Sequence, residues 1–128
     1  MDARHAFFCD AATSDSSGKL SVLGIFDNIN AKAFPATHPE MSLVLTLRGH
    51  RSEIGSHALK INLVDADGKE IIPPIEGQFV LQPEALDANL ILHIQNLTLP
   101  VPGTYSADIT VDNHFLQSVA LTVRAIKS

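Results

Sequence analysis

The chain has no tryptophan, one tyrosine and one cysteine. A single cysteine closes no internal disulfide, which excludes a disulfide-stapled scaffold and points to a reducing, cytoplasmic setting. Cys9, in the apolar run Ala6-Phe7-Phe8-Cys9, reads as a small buried hydrophobe. Aromatic residues make up 5% of the chain, too few to furnish the exposed stacking rings of a sugar-binding sandwich. Charged residues are also scarce, at 18%, with nine scattered basic residues and a net charge of −5. Without a basic cluster there is no surface to neutralise phosphates, so nucleic acid is not an expected partner. No apolar run reaches the length of a signal-peptide core or a membrane span, so no membrane partner is expected.

Catalytic signatures are missing too. There is no G-x-S-x-G, H-E-x-x-H, C-x-x-C or glycine-rich phosphate loop. Gly55-Ser56-His57 lacks the strand-to-helix setting that a nucleophile elbow needs. The six histidines are dispersed, and Glu40, Glu53, Glu70, Glu76 and Glu84 show no pairing pattern. The expectation is a non-enzyme with no catalytic residues, no cofactor and no resident metal.

What the chain does have is period-two alternation. In Tyr105–Val111 the residues Tyr105, Ala107, Ile109 and Val111 share one face. After Asp112-Asn113-His114, Phe115, Val119, Leu121 and Val123 share another. Such alternation makes strands with one dry face, and Asn113 suits the tight turn between them. Met41–Arg48, Leu59–Leu63 and Leu90–Ile94 alternate likewise. The inward residues of the terminal hairpin are expected to face Leu59, Ile61, Leu90 and Leu92.

Four further local features are expected. Arg4–Asp10 should be a short strand followed by a loop over residues 11–18. Lys19–Phe26, apolar on both faces, should be a central strand, with a bulge or a close backbone approach at Gly24 and a kink or corner at Asp27-Asn28. Residues 35–39 should form a loop, and Pro73-Pro74 should leave the next strand short or at an edge. A parity shift near Asn96 predicts a bulge there. Short strands recur without 3.6-residue periodicity. The fold class is therefore all-β: a single-domain antiparallel β-sandwich over residues 1–128, immunoglobulin-like or jelly-roll-like, of roughly seven to nine strands.

Pro102-Gly103-Thr104-Tyr105 resembles the late strand entry of immunoglobulin-like sandwiches. Phe8-Cys9-Asp10, Gly18-Lys19-Leu20, Gly24-Ile25-Phe26-Asp27-Asn28-Ile29 and that terminal hairpin together resemble a family of small, uncharacterised bacterial all-β proteins. The resemblance implies the fold and no activity.

Two places are candidates for a site. Asp65 and Asp67, in Asp65-Ala66-Asp67-Gly68, resemble part of a calcium loop, and a C2-like sandwich could join them to another loop. Their competing reading is a hairpin turn whose carboxylates accept backbone donors. If successive strands alternate in direction, loops 11–18, 49–56, 82–88 and 112–114 share one end. That end collects Asp15, His50, Arg51, Glu53, Glu84, Asp87, Asn113 and His114, and loops on a rigid scaffold commonly carry recognition. The expected function is a non-catalytic interaction module that docks on a protein partner or forms a homo-oligomer. The alternative is a calcium- or small-ligand-binding sandwich.

Overall fold

Apolar alternation gives each strand an inward face, and two sheets bury those faces against each other. The structure, a computed structural model, describes residues 1–127. The strands are β1 (Asp2–Ser14), β2 (Leu20–Phe26), β3 (Asn28–Ala31), β4 (Ala36–Arg48), β5 (Gly55–Val64), β6 (Ile75–Leu81), β7 (Asp87–Leu99), β8 (Gly103–Val111) and β9 (His114–Ala125). One sheet has the order β2-β1-β4-β7 and the other β3-β9-β8-β5-β6. The fold is an all-β sandwich. The β3–β9 pair is parallel, so the expectation of a wholly antiparallel sandwich is corrected there.

The core follows the parity of the terminal hairpin. Tyr105, Ala107, Ile109, Val111, Val119, Leu121 and Val123 are buried in one cluster with Leu59 and Ile61, which do not face them as expected but lie beside them in the same sheet, Leu59 paired with Val111 and Ile61 with Ile109. Leu90 and Leu92 pack against that cluster but remain half-buried. Phe115 departs from expectation. Ile109 pairs with Gln117 and Thr110 with Phe115, so Leu116 is the extra residue of a bulge. The bulge turns Phe115 outward, where it is 65% exposed. The Tyr105 hydroxyl donates to the Val101 carbonyl at 2.6 Å, closing the corner where the chain crosses from β7 to β8 in the facing sheet. The ring is buried while its polar tip is satisfied.

The first third of the chain is where the structure differs most from the pattern. β1 runs through residues 11–14, which alternation assigns to a loop. It pairs with β4 only as far as Cys9–Ser42, while its pairing with β2 continues to Ser14–Leu20. Beyond Cys9 the β1–β2 hairpin folds over the outer face of β4 and β7. There Cys9, Ala12 and Val44 form a second buried cluster with Phe7, Leu20, Val22 and Ile91. The Asn89 side-chain amide donates to the Gly18 carbonyl at 3.1 Å and holds the hairpin tip down. This cover explains why Met41–Leu47 is buried on both faces.

β2 is thus an edge strand, not the central one expected. One of its faces lies on the second cluster, and Leu23 and Ile25 face solvent. Gly24 forms no bulge, since the β1–β2 register runs past it unshifted; it has φ of +69° and a close approach, with room for no Cβ beside the Asp10 carboxylate. At Asp27 the chain leaves one sheet for the other, which makes the anticipated break a corner between two strands.

Residues 36–39, expected as loop, belong to β4. Pro39 has no N–H to offer, and it falls opposite Asn96, which has φ 53°: His38 pairs with Leu97 and Glu40 with Gln95, so one residue on each strand drops out of the pairing, the register does not shift, and the bulge expected at Asn96 is not formed. Pro73-Pro74 precedes β6, which lies at a sheet edge as expected.

Candidate functional site

Residues 49–56, 82–88 and 112–114 do meet at one end. The Gly49 N–H donates to the Leu86 carbonyl at 2.9 Å, and the turn at 112–114 is tied to β5. The 15–18 turn reaches this end by the fold-over of its hairpin, through the bond to Asn89.

The side chains gathered there are largely engaged with one another. Asp87 accepts from Arg48 Nε at 2.8 Å and Nη2 at 3.1 Å, and from Arg4 Nη1 at 2.7 Å. These bonds, Arg48 first, hold its carboxyl below the usual range. The trio fastens the starts of β1 and β7 to the end of β4. Glu53 accepts from the His50 N–H at 2.9 Å, which lowers its pKa and closes the Arg51–Glu53 turn. Glu84 is exposed in the 82–85 turn, and Arg51 is exposed beside Glu53. Asp112 and Asn113 have φ of 51° and 66°, and His114 Nδ1 lies 3.0 Å from the Asp112 carbonyl. The predicted residues therefore share an end, and their polar groups mostly hold turns.

His57, which alternation did not single out, is the centre of this end. Its Nδ1 meets the Asp112 carboxylate at 2.5 Å and its Nε2 meets the Glu53 carbonyl. Both partners are acceptors, so this geometry favours the protonated ring, which donates from both nitrogens. The bonds to Asp112 and then to Glu53 raise its pKa. Asp112, bonded by His57 and by the Ala58 N–H, is lowered in turn. The ring stacks on Phe79, with centroids 5.5 Å apart. No local spacing could reveal this pair, because its members are separated by 55 positions.

Asp65 uses one carboxylate oxygen to accept from the Asp67 and Lys69 N–H groups, each at 2.9 Å. Asp15 does the same toward Ser17 and Lys19. The two turns share one signature: Asp15-Ser16-Ser17-Gly18-Lys19 and Asp65-Ala66-Asp67-Gly68-Lys69. Gly18 and Gly68 adopt φ of +84° and +80° there. This repeat was the available signal that Asp65 builds a turn. Among the described residues no cluster of three or more metal-ligating side chains occurs, so Asp65 and Asp67 are not joined by a third ligand.

A different surface is less complete. β7 pairs with β4 without interruption from Asp87 to Gln95, and among the described residues no strand pairs with its other edge. Leu43, Val44 and Leu45 of β4 have no exposure, yet their cross-strand partners Leu92, Ile91 and Leu90 are only half-buried. Ile71, Ile72 and Ile75, packed against the same core, are half-buried as well. The sequence hint was that Leu90-Ile91-Leu92 is apolar on both parities, which signals cover on both faces but not a missing neighbour.

Residues 4–124 match a family described as a family of unknown function, DUF6941. No curated protein matches the chain.

Proposed function

We infer that this chain, which belongs to that family of unknown function, is a non-catalytic interaction module that accepts a strand from a protein along the open edge of β7. The observation that carries the reading is the contrast between cross-strand neighbours: buried Leu43, Val44 and Leu45 against half-buried Leu92, Ile91 and Leu90. A free edge presents unpaired N–H and C=O groups, and an added strand gains those bonds together with the flanking apolar burial.

We assign an immunoglobulin-like plan. The order β3-β9-β8-β5-β6, with β3 parallel to the last strand, supports it, as does the tyrosine hydroxyl closing the corner before β8. In that plan a further strand flanks the position that β7 occupies, and here the flank is open. Among the described residues no helix is long and apolar enough to cross a membrane. Buried Cys9, its pKa raised by desolvation, suits the cytoplasm in which we place the module. No observation favours the calcium- or ligand-binding alternative, because the Asp65 carboxylate is already bonded within its own turn.

The test is a photo-crosslinking residue placed at Gln95, which is exposed on β7, with Thr104, exposed on β8, as the control. In the native cell, position 95 should join one protein chain through an extended segment of that chain. No capture, or the same capture at position 104, refutes the reading.

A further inference from the structure

Resting on the strand-addition reading, we propose that the strand received by β7 is β7 of a second copy of this chain, paired antiparallel about a two-fold axis at Leu92. In that register Leu90 of one copy lies opposite Ile94 of the other, Ile91 opposite His93, and Asn89 opposite Gln95. Apolar residues meet on the inner face, and amide meets amide on the outer one. The parity is preserved, so both inner faces stay on the same side of one continuous sheet.

Three observations select a second copy. First, no Asp, Glu, Lys or Arg lies between Ala88 and Leu99, although the chain carries a net charge of −5. In a two-fold contact any charge on β7 is present twice along one short seam, closest to its own image when it lies near Leu92, so an uncharged strand lets two chains of the same net charge pair. Second, β7 lacks the usual edge protection. β2 carries Gly24 at φ +69°, β6 follows Pro73-Pro74 and carries Glu76, and β3 is only 4 residues long. Between Asp87 and Gln95, β7 has neither proline nor bulge, and a free edge of that kind invites pairing. Third, the half-buried Ile71, Ile72 and Ile75 border the same side of the sandwich. Joining the two edges brings these rims together beneath the paired strands. A two-fold contact also closes on itself, so assembly stops at two copies.

Light scattering and cysteine crosslinking test the proposal. The full chain should run as a dimer. Leu92→Cys should form a disulfide-linked dimer on mild oxidation, because directly opposed antiparallel residues have Cα atoms about 4.5–5.5 Å apart, within disulfide reach. Thr104→Cys should not, and Cys9, with no exposure, stays out of the reaction. His93→Lys, an exposed position facing Ile91 of the other copy, should weaken the dimer about tenfold or more while keeping a cooperative melt. Gln95→Lys, which lies opposite Glu40 within its own copy, gives the same readout if His93→Lys fails to fold.

A wild type that is monomeric at concentrations up to roughly 1 mM overturns the proposal. So does a dimer that survives both lysine variants and in which Leu92→Cys forms no crosslink. In either case, crosslinking of position 95 to a different protein keeps the strand-addition reading, and its absence removes that reading too.

Discussion

Leu45 and Leu90 face each other across β4 and β7 on the inner face of one sheet, and they differ in what lies beyond them. Leu45 has no exposure, whereas Leu90 is half-buried because no strand follows β7. Truncating Leu45 to alanine removes three buried carbons and leaves a cavity closed on every side, a loss of about 2–5 kcal/mol. The same truncation at Leu90 removes carbons that are already partly hydrated. At about 0.8 kcal/mol for each fully buried methylene, the transfer loss is about 1.5–2 kcal/mol, and no closed cavity remains. The two variants should therefore separate clearly in urea melts performed at a dilution where the chain is monomeric. For a domain whose total stability is about 5–15 kcal/mol, the first change is severe and the second mild. At high protein concentration the cost of Leu90→Ala should rise, because pairing with a second copy completes its burial. Equal losses at high dilution would refute the reasoning, since β7 would then have a neighbour that the strand order lacks.

Three further outcomes are expected. Ile109→Ala, in the core, should cost about 2–5 kcal/mol in urea melts, and Thr110→Ala on the opposite face less than half of that; the reverse ranking contradicts the register of β8. His57 has a pKa raised above its free value, so its bonds to Asp112 and Glu53 contribute fully below about pH 6.5 and are lost as pH climbs through the raised value. The lowered pKa of Asp112 adds an acid limit near or below about pH 3.9. Melting temperatures of wild type and His57→Gln should differ most between those limits and converge at alkaline pH; a constant difference argues against an imidazolium. Gly24→Ala should cost about 1–2 kcal/mol, because a Cβ is strained at φ +69° and meets the Asp10 carboxylate. Asp10→Ala in the same chain should recover only the steric part.

The amino-acid sequence determined a good deal by itself. Strict alternation in Tyr105–Val111 and Val119–Val123 assigns each side chain to a face, since successive residues of a strand point to opposite sides whatever the strand pairs with. The same locality made Asn113 legible as a turn residue and marked the change of parity at Asn96, which the structure makes with a positive φ and not with the expected bulge. Pro-Gly-x-Tyr identified the corner, because the hydroxyl bond spans only four residues.

Tertiary structure decided what depends on partners far along the chain. Leu20–Phe26 is apolar on both parities, and a local pattern cannot tell a strand between two layers from a hairpin that folds onto a neighbouring sheet. The fold-over depends on Val44, Ile91 and Asn89, which meet the hairpin only once β4 and β7 are paired. Phe115 has the right parity until the extra residue at Leu116 turns it outward, and a bulge is defined by the opposing strand β8. The loop end shows the same division. Direction alternation placed His50, Glu53, Asp87 and His114 together, but not that Asp87 would be held by Arg4 and Arg48, or that His57 would find Asp112. The open side of β7 is likewise a property of sheet order. Leu90, Ile91 and Leu92 read as residues covered on both faces, and only the absence of a strand beyond them leaves their burial half complete.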